Sequence, residues 1–446
     1  MKIVRIGLVT LIATLAPLEA HANGRFPDAQ QLVVNPENPN DIAVQTTYGF
    51  IHSLDGGTSW QWTCEEAAFY GGILDPPIAL MGNGVLLAGV FDGLVISTPD
   101  KCDYALVPGE LADKYVVDVS ALKSATDSAI VIHSNGLGGS MFETRVFSTS
   151  DGGLSWSKQG QSLPTNFLGL TLDAAPSDAS VLYVSGFEVV SSSEYVGKLA
   201  LSLDGGETWT IKPIPNSLND SGPYLAAIDP ASPGTAYLRL ASLAGRLLVT
   251  KDYGDSWQEV FTGKGKLLGF ALSPDGSELR VGGDEDGIWG ANTSDFAFAQ
   301  VNEVGVRCLT WTNDALFVCG REAAAEFTIG KSQDGGTTIE AIHHLPCLEG
   351  PDPNCADDSS IQSACPAPWA AQKQILQTDT CAPVGSSTNS SSSGSTTGGD
   401  DGGSGGCQCR YDQPNKKAGA LSLLFVAVAL RRRRRRQARR ASVCSN

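Results

Sequence analysis

Residues 202–209 read SLDGGETW, and variants of this phrase return along most of the chain: SLDGGTSW at 53–60, TSDGGLSW at 149–156, TKDYGDSW at 250–257 and SQDGGTTI at 332–339. The chemistry of the phrase is that of a tight hairpin turn. A short Asp carboxylate accepts backbone N–H groups inside the turn, Gly supplies positive φ, and Trp opens the next strand with a large apolar body. On this reading Asp55, Asp151, Asp204, Asp252 and Asp334, with Trp60, Trp156, Trp209 and Trp257, are structural and not catalytic.

Two degenerate copies fill the gaps, Thr98-Pro99-Asp100-Lys101-Cys102 and Thr293-Ser294-Asp295 followed by Phe296. The Asp series 55, 100, 151, 204, 252, 295 and 334 advances in steps of 39 to 53 residues, which is the period of four-stranded propeller blades. The expected fold is therefore all-β, a single seven-bladed β-propeller of four-stranded blades, with a small disulfide-rich cap and a disordered tail. In blade one, LVV, IAVQTT, FIHS and WQWT form the four strands, with turn residues between them. The repeated phrase joins the third strand to the fourth, so it shares one face of the disc with the first-to-second loops. The second-to-third and interblade loops share the other face, where ligand chemistry is expected.

The phrase resembles the Asp-box of BNR repeats, the signature of sialidase-like β-propellers. A sialidase requires three Arg on a carboxylate, a Tyr/Glu nucleophile pair and an Asp acid. Its N-terminal Phe/Tyr-Arg-Ile-Pro motif is replaced here by Gly24-Arg25-Phe26-Pro27. The length also resembles that of single-propeller assembly factors of the Asp-box group, which are scaffolds for other proteins. Two-propeller xyloglucanases share the boxes but need roughly twice the chain.

Of 446 residues 18% are charged and 50 are Gly, as befits many short strands joined by turns, and the net charge is −17. Between 23 and 385 there are 18 basic against 44 acidic residues; such a surface repels phosphate backbones and argues against nucleic acid as a partner. Residues 1–22 read as a signal peptide, with Lys2, Arg5, an apolar run from Ile6 to Ala16 and the cleavage-site pattern Ala20-His21-Ala22. Residues 23–346 are assigned to the propeller and 347–384 to a Cys-rich cap. The cap holds Cys347, Cys355, Cys365 and Cys381, which allow three internal pairings, with zinc as the other use of such a set.

Residues 385–406 are a Ser/Gly/Thr tether, about 25 Å end to end. Residues 407–446 carry Cys407 and Cys409, a polar spacer, an apolar run from Ala418 to Leu430 and six Arg from Arg431 to Arg436. This tail resembles the MYXO-CTERM sorting signal of myxobacterial surface proteins. The resemblance implies a sorting protease acting on the tail and anchoring through Cys407 or Cys409. The Arg block would stop export on the cytoplasmic side, and the apolar run spans about 20 Å, thin for a permanent membrane helix. The expected location is the cell surface, anchored at the outer membrane.

In an exported chain the thiols are expected to be oxidised. Cys308 and Cys319 flank the turn at Asn313-Asp314 and are expected cross-strand partners. Cys64 and Cys102, in neighbouring blades, are candidates for a bridge between them.

Enzymatic motifs are sparse. His52, His133, His343 and His344 are the His residues outside the leader, none followed by Glu, so a zincin site is absent. Arg25, Arg307 and Arg321 fall on the loop face near where blades one and seven meet, a candidate anion clamp. The same face should carry Glu65, Glu66, Asp92, Glu188, Asp284, Glu285 and Asp286 with Tyr48, Tyr70, Phe91 and Tyr195. Arg25, Arg307, Arg321, Glu65, Glu66, Tyr70 and Asp92 are the candidate ligand-binding residues. No catalytic residue, cofactor or metal site is assigned. The leading expectation is a monomeric, exported, surface-anchored module that binds an extracellular glycan or protein; the alternative is a sialidase-like glycoside hydrolase.

Overall fold

A computed structural model describes residues 26–72, 74–191, 193–219 and 222–381. They form seven four-stranded antiparallel sheets, each built from four consecutive strands in the order first, second, third, fourth. The leader, Arg25, the tether and the tail with Cys407 and Cys409 lie outside the described residues.

The first strands line the centre of the ring. In chain order they are Ala29–Val34, Ile78–Leu80, Val116–Ala121, Phe167–Ala175, Pro223–Ile228, Gly269–Leu272 and Cys308–Trp311. Each packs beside the next, and Cys308–Trp311 packs against Ala29–Val34 to close the circle. The second and third strands of blade one, IAVQT and GFIHS, are buried at every residue, because blades cover both faces of each sheet. Their near-continuous apolar character follows from that double burial.

The turns explain why the phrase recurs. Ser202 Oγ donates to Asp204 Oδ1 (2.7 Å), Thr208 donates to Oδ1 through its backbone N–H (2.9 Å) and to Oδ2 through its hydroxyl (2.6 Å), and Gly206 N–H donates to Ser202 Oγ (2.7 Å). Gly205 and Gly206 adopt φ of 70° and 93°, the left-handed conformation that favours Gly. Asp55, Asp151, Asp252 and Asp334 repeat the arrangement. In the degenerate copies Cys102 N–H donates to Asp100 and Ala297 N–H to Asp295.

Each Trp leans on the preceding blade. Trp60 Nε1 donates to Ile342 O of blade seven and Trp209 Nε1 to Gln161 O of blade three. Trp156 packs with the blade-two core and Trp257 with that of blade four. The degenerate turn of blade two is tied differently: Lys101, fully buried, donates at 2.7 Å to Asp41 of blade one.

Among the described residues no strand is exchanged between first and last blades. Closure rests on side-by-side packing plus a C-terminal clasp. After its last strand the chain crosses the outer edge of blade one, where Glu349 N–H donates to Trp60 O and Trp62 N–H to Gly350 O. It then forms helices Ser360–Ala364 and Pro366–Leu376, and Trp369 packs on Trp62 at 5.3 Å.

The disulfides differ in part from the sequence expectation. Cys308 and Cys319 sit directly opposite each other and are bonded. Cys64 and Cys102 do not pair with each other: Cys64 bonds Cys365, and Cys102 bonds Cys355. Only Cys347–Cys381 lies within the cap. The physical reason is burial. Leu348, Ile361 and Leu376 share one apolar cluster with blade-one residues such as Phe50 and Trp62, so the cap is sewn to the ring and has no closed core of its own. Four disulfides place the described chain in an oxidising compartment, extracellular or periplasmic.

Blades three and four break the symmetry. Their second and third strands run Ala129–Gly138 with Met141–Thr149, and Asp178–Ser191 with Glu194–Ser202, whereas those of the other blades have four to six residues. Both long hairpins rise from the loop face, the first turning at Gly138-Gly139, both with positive φ.

Candidate functional site

On the box face the repeated carboxylates are occupied by their own turns. Bonds from the Ser155 hydroxyl first, and then its backbone N–H, hold the Asp151 carboxyl down at about 2. The Thr208 and Ser256 hydroxyls likewise hold Asp204 and Asp252 at about 2. Acids so engaged are poor proton donors and poor free ligands.

The loop face is different. Among the described residues twelve large apolar side chains are exposed; Phe26, Phe69, Phe91, Leu137, Met141, Val190, Leu218 and Leu243 lie on the loop side, against Leu54, Leu154 and Leu203 on the box side and Ile375 in the cap. Eight against three is an uneven distribution for two faces made from one repeat.

The candidate residues fall into separate groups there. Arg307 and Arg321 are brought together over the seam of blades six, seven and one. Arg307 Nη1 lies 2.9 Å and Arg321 Nη2 3.3 Å from Asp284 Oδ2, while Asp28 Oδ2 lies 3.5 Å from Arg307 and 3.4 Å from Arg321. Two guanidiniums thus face two carboxylates, with Arg307 and Asp28 largely enclosed and Arg321 half-exposed, and the charge that would hold an anion is met by neighbouring blades. The expected open clamp is therefore a seam lock; its third member, Arg25, lies outside the described residues. Glu65, Glu66 and Tyr70 share the loop crossing from blade one to two, where Tyr70 N–H donates to Glu65 O and the Tyr70 ring packs on Phe50 at 5.3 Å. Asp92 occupies the blade-two hairpin tip, its carbonyl accepting from Asp113 N–H.

A central channel of about 510 Å³ holds polar residues that the sequence reading did not single out. Asp118 and Asp173 come from neighbouring first strands, VVDVSA and FLGLTLDAA. Asp118 Oδ2 accepts from Leu172 N–H (2.7 Å), and Asp173 Oδ1 accepts from the Ser120 hydroxyl (2.7 Å), so each acid also stitches its blade to the next. Burial, aided by the neighbouring Asp173 charge, pushes the Asp118 carboxyl up to about 7; burial also raises Asp173. Arg239 and Tyr224 line the same channel from blade five, and Arg239 Nη1 donates to Leu267 O at 2.9 Å and to Leu268 O. A signal was available: an acid inside an otherwise apolar innermost strand is costly unless it has a task.

The one His/Cys/Asp/Glu grouping close enough for a metal among the described residues is Cys102, Asp352 and Cys355. Its two sulfurs are bonded to each other, so a disulfide stands where zinc was the other use of the cap cysteines. His52 and His343 are buried, and burial lowers both to about 3; they are neutral core groups. No described helix is long and apolar enough to cross a membrane.

No family model matches the chain, and no curated protein matches it. Among solved structures it is similar to an ancestral GH74 enzyme, with TM-score 0.52 and 16% identity over 70% of this chain and 46% of that one. It is also similar to the hydrazine synthase of Kuenenia stuttgartiensis, with TM-score 0.50 and 10% identity over 72% of this chain and 99% of that one. The chain spans less than half the length of the GH74 enzyme. At these identities the likeness shows the propeller fold, and activity does not follow from fold.

Proposed function

We propose that this protein is an exported, surface-held propeller that binds an extracellular glycan or protein on its loop face without cleaving it. The observation that carries the reading is the concentration of exposed apolar side chains on that face, heightened by the two long hairpins of blades three and four. The box-face carboxylates, by contrast, are consumed by turns. The tail, 407–446, fits the role of a sorting signal that leaves the propeller at the outer membrane through Cys407 or Cys409, on a tether that keeps the loop face clear of the envelope.

The test is binding by the full-length chain, purified oxidised in mild detergent, to a glycan array and to a panel of extracellular proteins. The reading expects a ligand whose binding falls when Leu137 and Leu243 are changed to Ser, and it fails if neither panel yields one. A second reading, glycoside hydrolysis, is favoured by one observation, the two carboxyls Asp118 and Asp173 that neighbouring strands bring to one channel, since a pair of carboxyls is the equipment of glycosidases. Turnover of fluorogenic glycosides that disappears in Asp118→Asn would establish it over the first.

A further inference from the structure

The hairpin tip of blade two and the entry to blade three place two rings together: Phe91 and Tyr115 have centroids 4.6 Å apart and planes inclined at 36°. Phe91 is 38% exposed at a turn where burial would be the default for so large an apolar group. The strand that leads into it packs closely on blade three. Gly89 N–H donates to Pro77 O, a Cβ at Gly89 would come within 2.7 Å of Val116 O, and Pro77 itself lines the channel. Tyr115 is held by its backbone N–H, which donates to Asn135 Oδ1 at 3.1 Å. Burial, with the nearby Tyr224 hydroxyl adding to it, raises Tyr115 to about 12. Tyr115 immediately precedes the strand Val116–Ala121, whose Val117, Asp118, Val119 and Ser120 line the channel together with Tyr224, so the Phe91–Tyr115 pair stands at the loop-face end of that wall.

Beyond that pair the wall offers donors and acceptors from Gln30, Gln45, Asp75, Asp173, Tyr224 and Arg239. The channel's about 510 Å³ lies within the range of small-molecule sites. An apolar platform at the entrance with a mixed polar wall behind it matches a pyranose, which has an apolar C–H face and a rim of hydroxyls. The charges select among sugars. Arg239 is the one basic residue lining the channel among the described residues and already donates to Leu267 O and Leu268 O, and Arg307 and Arg321 are paired with Asp28 and Asp284, so a sugar bearing a carboxylate is disfavoured.

We infer that Phe91 and Tyr115 form the stacking platform of a subsite for the end of a neutral oligosaccharide, whose terminal sugar enters the channel mouth beside Tyr224. This rests on the loop-face binding reading and narrows it to one ligand class.

The test is isothermal titration of the oxidised full-length protein in mild detergent with neutral β-linked tetrasaccharides of glucose, xylose and mannose, and with sialyllactose as the anionic control. The expected result is binding of at least one neutral tetrasaccharide. Phe91→Ala should weaken it about tenfold or more, as loss of an interface anchor does, while the box-face Leu154→Ala leaves it unchanged and sialyllactose fails to bind. Thermal melts of both variants should match the parent, and Tyr224→Phe, which keeps the ring, should also weaken binding. Absence of binding by all three neutral sugars, indifference to Phe91→Ala, or preference for sialyllactose would overturn the subsite. If an extracellular protein binds the loop face while no sugar does, the subsite is wrong and the binding reading stands; if nothing binds, both fall.

Discussion

The box face and the loop face are built from the same four-strand unit repeated seven times, yet their side chains are put to opposite uses. On the box face Asp55, Asp151, Asp204, Asp252 and Asp334 fold back onto their own turns, and Trp60, Trp156, Trp209 and Trp257 reach into the neighbouring seam. On the loop face no phrase recurs through all the blades. Loop lengths vary, two hairpins stand proud, and apolar groups such as Leu243 and Phe91 point outward. Recurrence marks what every blade needs in order to stand; departures from it mark what one surface does.

Variants can break this contrast. Trp60→Ala should have the largest effect, about 3–5 kcal/mol of stability by denaturant titration, because the ring is 2% exposed and sits at the closing seam. Loss of the paired Cys64 and Cys365, by Cys64→Ser with Cys365→Ser, should cost about 2–5 kcal/mol, because the bond spans 301 residues and, among the described residues, no exchanged strand backs it up. An unchanged denaturation midpoint in either variant would move ring closure elsewhere.

The pH dependence should separate boxes from channel. The box carboxyls near 2 in the fold lie below their ordinary value. Their contribution is therefore present above about pH 4 and is lost as pH falls through 2. Asp118 runs the other way: raised to about 7, it binds its proton more tightly folded than unfolded, so stability declines as pH rises from about 4 to 7. Chemical denaturation across this range should show both slopes, and Asp118→Asn should flatten only the second. The smallest expected effect is on the stability of Leu243→Ser, within about 0.5 kcal/mol, because its side chain is 86% exposed.

The blade count, the strand that each turn begins and the Cys308–Cys319 pair were legible because each depends on neighbours close in sequence. The partners of Cys64 and Cys102 were not: both lie in the clasp, 301 and 253 residues away, and local pattern does not encode which outer edge a C-terminal segment will cover. Arg307 and Arg321 stand together, but Asp28 and Asp284, which pair with them, come from other blades. Asp118 and Asp173 stood in plain view as acids within apolar strands. Only the geometry of the ring turns them toward a shared channel.

The division of labour can be tested directly with two matched triple variants, Phe91→Ser, Leu137→Ser and Leu243→Ser on the loop face against Leu54→Ser, Leu154→Ser and Leu203→Ser on the box face, each scored for melting temperature and for binding across the glycan array and the extracellular-protein panel. Both proteins should melt within a few degrees of the parent, and only the loop-face triple should lose binding. Loss of binding in the box-face triple, with the loop-face triple unaffected, would contradict that division.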